Sequence, residues 1–192
     1  MSSFTIDMPD WFDAMEAEVP PRHGDEARMA TVIEFARRNV VEGTGGPFAA
    51  GVFECESGRL VAAGVNVVVP SRTAIAHAEV TAVALAGQRI GGFDLGDPDG
   101  PAMELVASTA PCVMCLGVTI WSGVSRLVCG ARAVDATAIG FDEGPRPDDW
   151  LEELAHRGIG VERDVLREEA AGVLRAYAER GGPIYNGGVP GA

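Results

Sequence analysis

Apolar positions along this chain recur at two alternating periods, one of helices and one of strands. From Asp25, the residues Met29, Val32, Ile33, Phe35, Ala36 and Val40 fall at helical spacing, and Gly43 ends the pattern. Two β-rich runs follow, Phe48 to Cys55 and Leu60 to Val69, divided by the hairpin signal Glu56-Ser57-Gly58 and closed by Pro70. An alanine-rich stretch from His77 to Ile90 reads as a helix stopped by Gly91-Gly92. The turn chemistry of residues 91–100 separates it from a short apolar strand, Met103 to Ser108. Pro111 suits the first position of a helix that runs to Trp121. Arg126 to Cys129 is a fourth strand, followed by a helical piece, Asp148 to Arg157, and a β-like segment, Gly158 to Glu162. A last helix, Asp164 to Arg180, carries Val165, Leu166, Ala170, Val173, Leu174 and Tyr177 on one face and halts at Gly181-Gly182.

This alternation predicts an α/β domain with helices on both faces of a mixed sheet. The crossover joining the last two strands predicts that they pair in parallel. Residues 1–24 form an acidic, proline-containing arm, residues 25–182 the domain, and residues 183–192 a tail. Trp11 and Phe12 predict that the arm lies on the body or on a partner subunit, because two exposed aromatics are costly in water. The tail is free unless Ile184 and Tyr185 are held.

Composition narrows the picture. At 192 residues the chain can bury one core, and 47% hydrophobic with 22% charged residues is ordinary for a globular protein. No apolar run approaches the roughly 20 residues that span a bilayer. The acidic start has neither the basic nor the apolar region of a signal peptide, so a cytoplasmic address is expected. All 15 basic residues are arginines and stand against 28 acidic ones, a net charge of −13. Such a surface repels phosphate backbones, which disfavours nucleic acid and favours a small substrate. Cys55 and Cys129 lie in apolar β runs and are expected to be buried free thiols.

The chemistry sits in two short stretches, His77-Ala78-Glu79 and Pro111-Cys112-Val113-Met114-Cys115. One imidazole and two thiolates make three soft ligands for Zn²⁺ and leave its fourth tetrahedral position open for water, the pattern of a catalytic site. Cys112 and Cys115 at i, i+3 point to one side of a helical turn, whose positive N-terminal end favours thiolate. Glu79, two residues from the histidine, can take the proton of a bound water and pass it on. A redox pair beside an ordinary histidine, or a structural zinc module acting as a scaffold, are the competing readings. The intact Glu79 speaks against a scaffold.

H-x-E followed by P-C-x-x-C is the signature of zinc-dependent base deaminases. From about Gly45 to Tyr185 the chain resembles the cytidine deaminase superfamily and, more narrowly, its bacterial guanine deaminases. The resemblance rests on GGPFAA (45–50), GVN (64–66), AHAEV (76–80), APCVMCLG (110–117), IWSGV (120–124) and GFDEGP (140–145). It implies a three-layer α/β/α fold on a five-stranded mixed sheet, one Zn²⁺ per chain with water as fourth ligand, and a homodimer. It implies that Asn66 and the backbone N–H of Ala78 read a base, that Phe48 and Trp121 wall the pocket beside Phe141, and that Glu143 assists the leaving amine. The C-terminal residues around Tyr185 would close the site. Asn66 otherwise satisfies a turn, Phe48 and Trp121 are otherwise plain core, and Glu143 is otherwise a solvated loop charge. The implied reaction is guanine to xanthine and ammonia. Ammeline or another triazine, a purine nucleoside, cytosine, and tRNA adenosine are the alternative substrates.

Overall fold

A computed structural model describes residues 3–186. Its elements in chain order are α1 (Phe12–Ala17), α2 (Asp25–Val41), β1 (Ala49–Glu54), β2 (Leu60–Val65), α3 (Val68–Ser71), α4 (Ala78–Ile90), β3 (Met103–Thr109), α5 (Val113–Ser122), β4 (Arg126–Ala131), α6 (Ala133–Thr137), α7 (Trp150–His156), β5 (Gly160–Glu162) and α8 (Arg167–Glu179). The sheet order is β2-β1-β3-β4-β5. The first two pairings are antiparallel, while β3–β4 and β4–β5 are parallel, as the crossover predicts.

Side chains alternate across the sheet, so neighbouring residues of one strand feed different cores. On β3, Val106 joins Phe12, Phe35 and Leu174 under α1, α2 and α8, whereas Leu105 and Ala107 join Ala82, Leu116 and Leu154 under α4, α5 and α7. The same split separates Phe53 from Val52 on β1 and Val128 from Leu127 on β4. Helices therefore cover both faces, giving three layers.

Three boundaries differ from the sequence pattern. The second β run ends at Val65, not Val69: pairing with β1 stops at Ala49↔Val65, and the Asn66 side chain then accepts the Val68 N–H and starts α3. The last helix starts at Arg167 because Asp164 and Leu166 hold left-handed backbone, which cannot continue a helix. The helix after Pro111 begins at Val113, with Cys112 as its cap. In the arm, α1 sinks Phe12 fully into the first core against Phe35, with ring centroids 5.5 Å apart. Cys129 is a buried free thiol and Cys55 a half-buried one. No helix of the described residues is long and apolar enough to cross a membrane.

An ion network pins α2 to the sheet. Glu104 on β3 is 0% exposed and lies opposite Arg126 of β4, whose guanidinium bonds Glu104 at 2.8 Å and Asp25 of α2 at 2.6 Å. Arg28 of α2 meets the other Glu104 oxygen and donates to the Cys55 carbonyl. Replacing Glu104 with glutamine leaves two guanidiniums short of a counter-charge. The expected result is a loss of about 3 kcal/mol in urea unfolding, near the lower bound for a broken buried pair because Asp25 still serves Arg126. An unchanged midpoint would mean that the network contributes nothing.

Candidate metal centre and substrate cavity

The metal-binding triad is assembled from two helix starts. His77 caps α4 and Cys112 caps α5, both with extended backbone, and Cys115 follows in the first turn of α5. Cys112 Sγ and Cys115 Sγ each lie 3.6 Å from His77 Nδ1, and the ligand atoms of all three residues lie within 4.8 Å of one another. A tetrahedral zinc with its usual N and S bond lengths sets neighbouring ligand atoms roughly 3.5–3.8 Å apart. The three residues fit Zn²⁺, and no fourth His, Cys, Asp or Glu of the described residues joins them. One coordination position stays open.

Negative charge is crowded here. A hydrogen bond from Cys115 holds the Cys112 thiol down at about 4, and that thiolate in turn pushes Cys115 well above the usual thiol range. Glu79 is 8% exposed, and burial followed by the Cys112 charge raises its carboxyl above the ordinary value. Burial, then the same thiolate and Glu79, lift Glu143 to about 8. A divalent cation held by the triad would relieve the repulsion that keeps these protons on.

Glu143 reaches the site through the loop after α6. Its carbonyl accepts the Val113 N–H at 3.0 Å, and Arg146 donates to the Pro111 carbonyl at 2.9 Å while stacking over Trp150. Both bonds clamp the loop to the residues flanking Cys112. Arg146 escaped the sequence reading because only the fold shows what an arginine five residues before Leu151 touches.

Between these groups lies a cavity of about 290 Å³, lined by His77, Glu79, Cys112, Asn66, Phe48, Phe141, Glu143 and Tyr185. Ligand sites run roughly 300–1,000 Å³, so this one suits a single ring system. Phe141 packs edge-on against both Phe48 and Tyr185, each at 5.0 Å between centroids. Asn186 holds the tail down by exchanging hydrogen bonds with Gly140 and Asp142. Tail closure by residues 187–192 lies outside the described residues. A larger cleft of about 700 Å³ between the arm and the ends of α2 and α8 contains none of the ligand or glutamate residues.

Asn66 is buried and oriented. Its Oδ1 accepts the Val68 N–H at 3.3 Å, which orients the amide with its NH₂ left to donate. Its backbone is held by Asn39, whose Nδ2 donates to the Asn66 carbonyl at 2.9 Å and to that of Gly46 at 2.8 Å. Asn39 is steadied in turn by Thr44, and Thr44 by the arm's Trp11. A polar residue inside the apolar stripe of α2 was the available signal for Asn39. At Gly45 a side chain would stand 2.0 Å from the Asn66 backbone carbonyl, so that position demands glycine, while at Gly46 it would displace the Tyr185 hydroxyl, 2.0 Å away.

Two expectations need correction or trimming. Trp121 does not wall the cavity: it is 86% exposed. It lies six residues beyond Cys115, which carries it about 240° round the helix from the ligand face. Ala78 is buried with its methyl in the second core and does not line the cavity. Only its main-chain N–H, which has no intrahelical acceptor, is left for recognition.

Residues 22–131 match the profile of the cytidine and deoxycytidylate deaminase zinc-binding region. The guanine deaminase of Bacillus subtilis (strain 168) is 35% identical over 118 residues, 62% of this chain and 71% of the relative. A solved structure described as guanine deaminase from Nitrosomonas europaea superposes with a TM-score of 0.89 at 47% identity, over 92% of this chain and 97% of the other. Another, with an asparagine changed to glutamine and in complex with 8-azaguanine, superposes at a TM-score of 0.89 and 47% identity over 93% and 97%.

The raised Glu143 carboxyl makes a prediction for the metal-free protein. A carboxyl elevated on folding binds more protons folded than unfolded between its ordinary value and about 8, so stability falls as pH rises through that window. Metal-free Glu143→Gln should match the wild type near pH 5 and exceed it by about 2–4 kcal/mol near pH 8. Parallel pH dependences of unfolding for the two proteins would contradict this.

Proposed function

This chain belongs to the cytidine and deoxycytidylate deaminase family, and from that premise we propose that it is a zinc-dependent hydrolase converting guanine and water to xanthine and ammonia. The observation that carries the reading is the meeting of a three-ligand metal centre and two separately anchored glutamates in one small, aromatic-walled cavity. The likeness over nearly the whole chain to a structure described as guanine deaminase supports it, as does a guanine analogue bound to a relative.

His77, Cys112 and Cys115 would hold the zinc ion, which would supply Lewis acidity to a water in the cavity. Phe48, Phe141 and Tyr185 pack around the flat ring, and the amide NH₂ of Asn66 donates to an acceptor on it, with the Ala78 N–H at the edge. Glu79 takes a proton from water as its oxygen adds to C2 and returns it to a ring nitrogen. Glu143, held from Val113 and Arg146, carries the remaining proton from the added hydroxyl to the departing amine. Loss of ammonia leaves the carbonyl of xanthine. Burial of both carboxyls matters because general acid–base groups work best with pKa values near the operating pH.

The same reading makes the protein a cytoplasmic homodimer. Trp121 and Phe93 are 86% and 92% exposed, and the loop carrying Phe93 is bonded to the end of α5 through Leu95 and Ser122, so a second copy has an apolar patch to cover. The net charge of −13 weighs against an RNA substrate.

Ammonia release from guanine, guanosine, adenine, adenosine, cytosine, cytidine and ammeline tests the substrate, with guanine expected to dominate. Preferential turnover of any other ring would overturn the guanine assignment. Glu79→Gln should keep its zinc and lose about 10²–10⁴-fold in kcat. Near-wild-type turnover by that variant with zinc bound would refute the mechanism.

A further inference from the structure

Three polar side chains, Trp11, Thr44 and Asn39, stand in line behind the cavity edge formed by Phe48 and Asn66, and none of the three lines the cavity itself. The innermost, Asn39, is 0% exposed and occupies the apolar stripe of α2, one turn after Phe35 and Ala36. Its Nδ2 donates to the carbonyls of Gly46 and Asn66, on the two chain segments that separate where β1 and β2 stop pairing at Ala49↔Val65. The Gly46 N–H also reaches the Asn66 carbonyl, at 3.2 Å, and the Asn66 N–H reaches the Phe48 carbonyl, at 3.0 Å. One buried amide thus fixes where the backbone of Asn66 sits relative to Phe48. An apolar residue would serve at position 39 if packing α2 were the only demand, because burying an amide is costly unless it is fully bonded.

The two ends of an amide have the same shape, so its partners decide which way it points. Reversed, Asn39 would turn an oxygen toward two carbonyls. What sets its direction begins in the arm. An indole N–H can only donate, so Trp11 Nε1, 3.0 Å from Thr44 Oγ1, obliges that hydroxyl to accept. The Thr44 proton is then left for Asn39 Oδ1 at 2.8 Å, the Asn39 carbonyl being farther, at 3.4 Å, and already accepting the Thr44 N–H. We propose that Trp11, Thr44 and Asn39 are positioning residues for base recognition, acting through Asn66. Hydrogen-bond polarity set by the indole passes through the hydroxyl to the amide, and the amide holds Asn66 at the place from which it meets the ring. This rests on the function proposed above and makes the acidic arm part of the site.

Asn39→Leu would disturb the core along with the network, so the test is made at the two outer members. Trp11→Phe keeps an aromatic ring beside Phe12 and Phe35 and removes the N–H donor, while Thr44→Val removes the hydroxyl. In each zinc-loaded variant the Kd for 8-azaguanine and the KM for guanine should rise about fivefold, within the range of couplings inside one hydrogen-bond network. Their kcat should stay within about twofold of wild type, because the metal ligands and both glutamates are untouched. Thr44→Ser should restore both constants. Added to Asn66→Ala, Trp11→Phe should raise the Kd no further, since the residue through which it acts is gone. A purely structural role would lower the melting temperature and leave Kd and KM at their wild-type values. That result, or a Trp11→Phe effect undiminished in the Asn66→Ala background, would overturn the proposal. Should the wild type release no ammonia from guanine, the function itself fails, and the Kd of the same variants for the ring that the protein does bind still decides the role of the three residues.

Discussion

The convergence of two helix N-termini on one point is the constraint around which this protein is arranged. His77 caps α4 and Cys112 caps α5, so the backbone geometry of two helix starts fixes the first two ligands, and the first turn of α5 adds Cys115. Those helices meet only because both lie on the same face of the sheet, over the core that contains Leu105, Leu127 and Ala82. A shift of one residue in β3 would turn Leu105 to the wrong core and move Cys112 with it. The network of Glu104, Arg28 and Arg126 binds that strand to its neighbours and to α2, so register and ligand position are held together.

Charge is the second organising fact. Two thiols and two carboxyls crowd together at one small cavity, and with no cation they cannot all ionise. The fold therefore places groups whose mutual repulsion is relieved by the ion they bind, and the protons it holds back are those the proposed chemistry has to move. Burial is the first cause at both Glu79 and Glu143, which makes the aromatic wall of Phe48, Phe141 and Tyr185 an electrostatic device as well as a binding surface.

Distant parts of the chain are drawn in to hold this arrangement. Trp11 of the arm steadies Thr44, Thr44 steadies Asn39, and Asn39 holds the backbone at Gly46 and Asn66. Asn186 in the tail is bonded to Gly140 and Asp142 in the loop that carries Glu143. The arm and the tail, which a pattern of apolar positions leaves at the margins, both end up bearing on the cavity.

The ligand triad, Glu79, the layered α/β fold and the parallel pairing of the last strands were legible in the sequence. Each follows from short-range spacing: two cysteines three apart, a glutamate two from a histidine, periods of two and about 3.6, and a crossover too long for a hairpin. What spacing does not carry is the angular position of a residue on an element whose surroundings are unknown. Trp121 looked like a pocket wall and turned out to face away from Cys115, while Asn66 sat within an apolar run and proved to be the residue that ends a strand. Arg146 and Asn39 acquire meaning only from partners 5 to 35 residues away. Local chemistry is written in local sequence. Which side chains share a cavity is decided by packing among residues far apart in the chain.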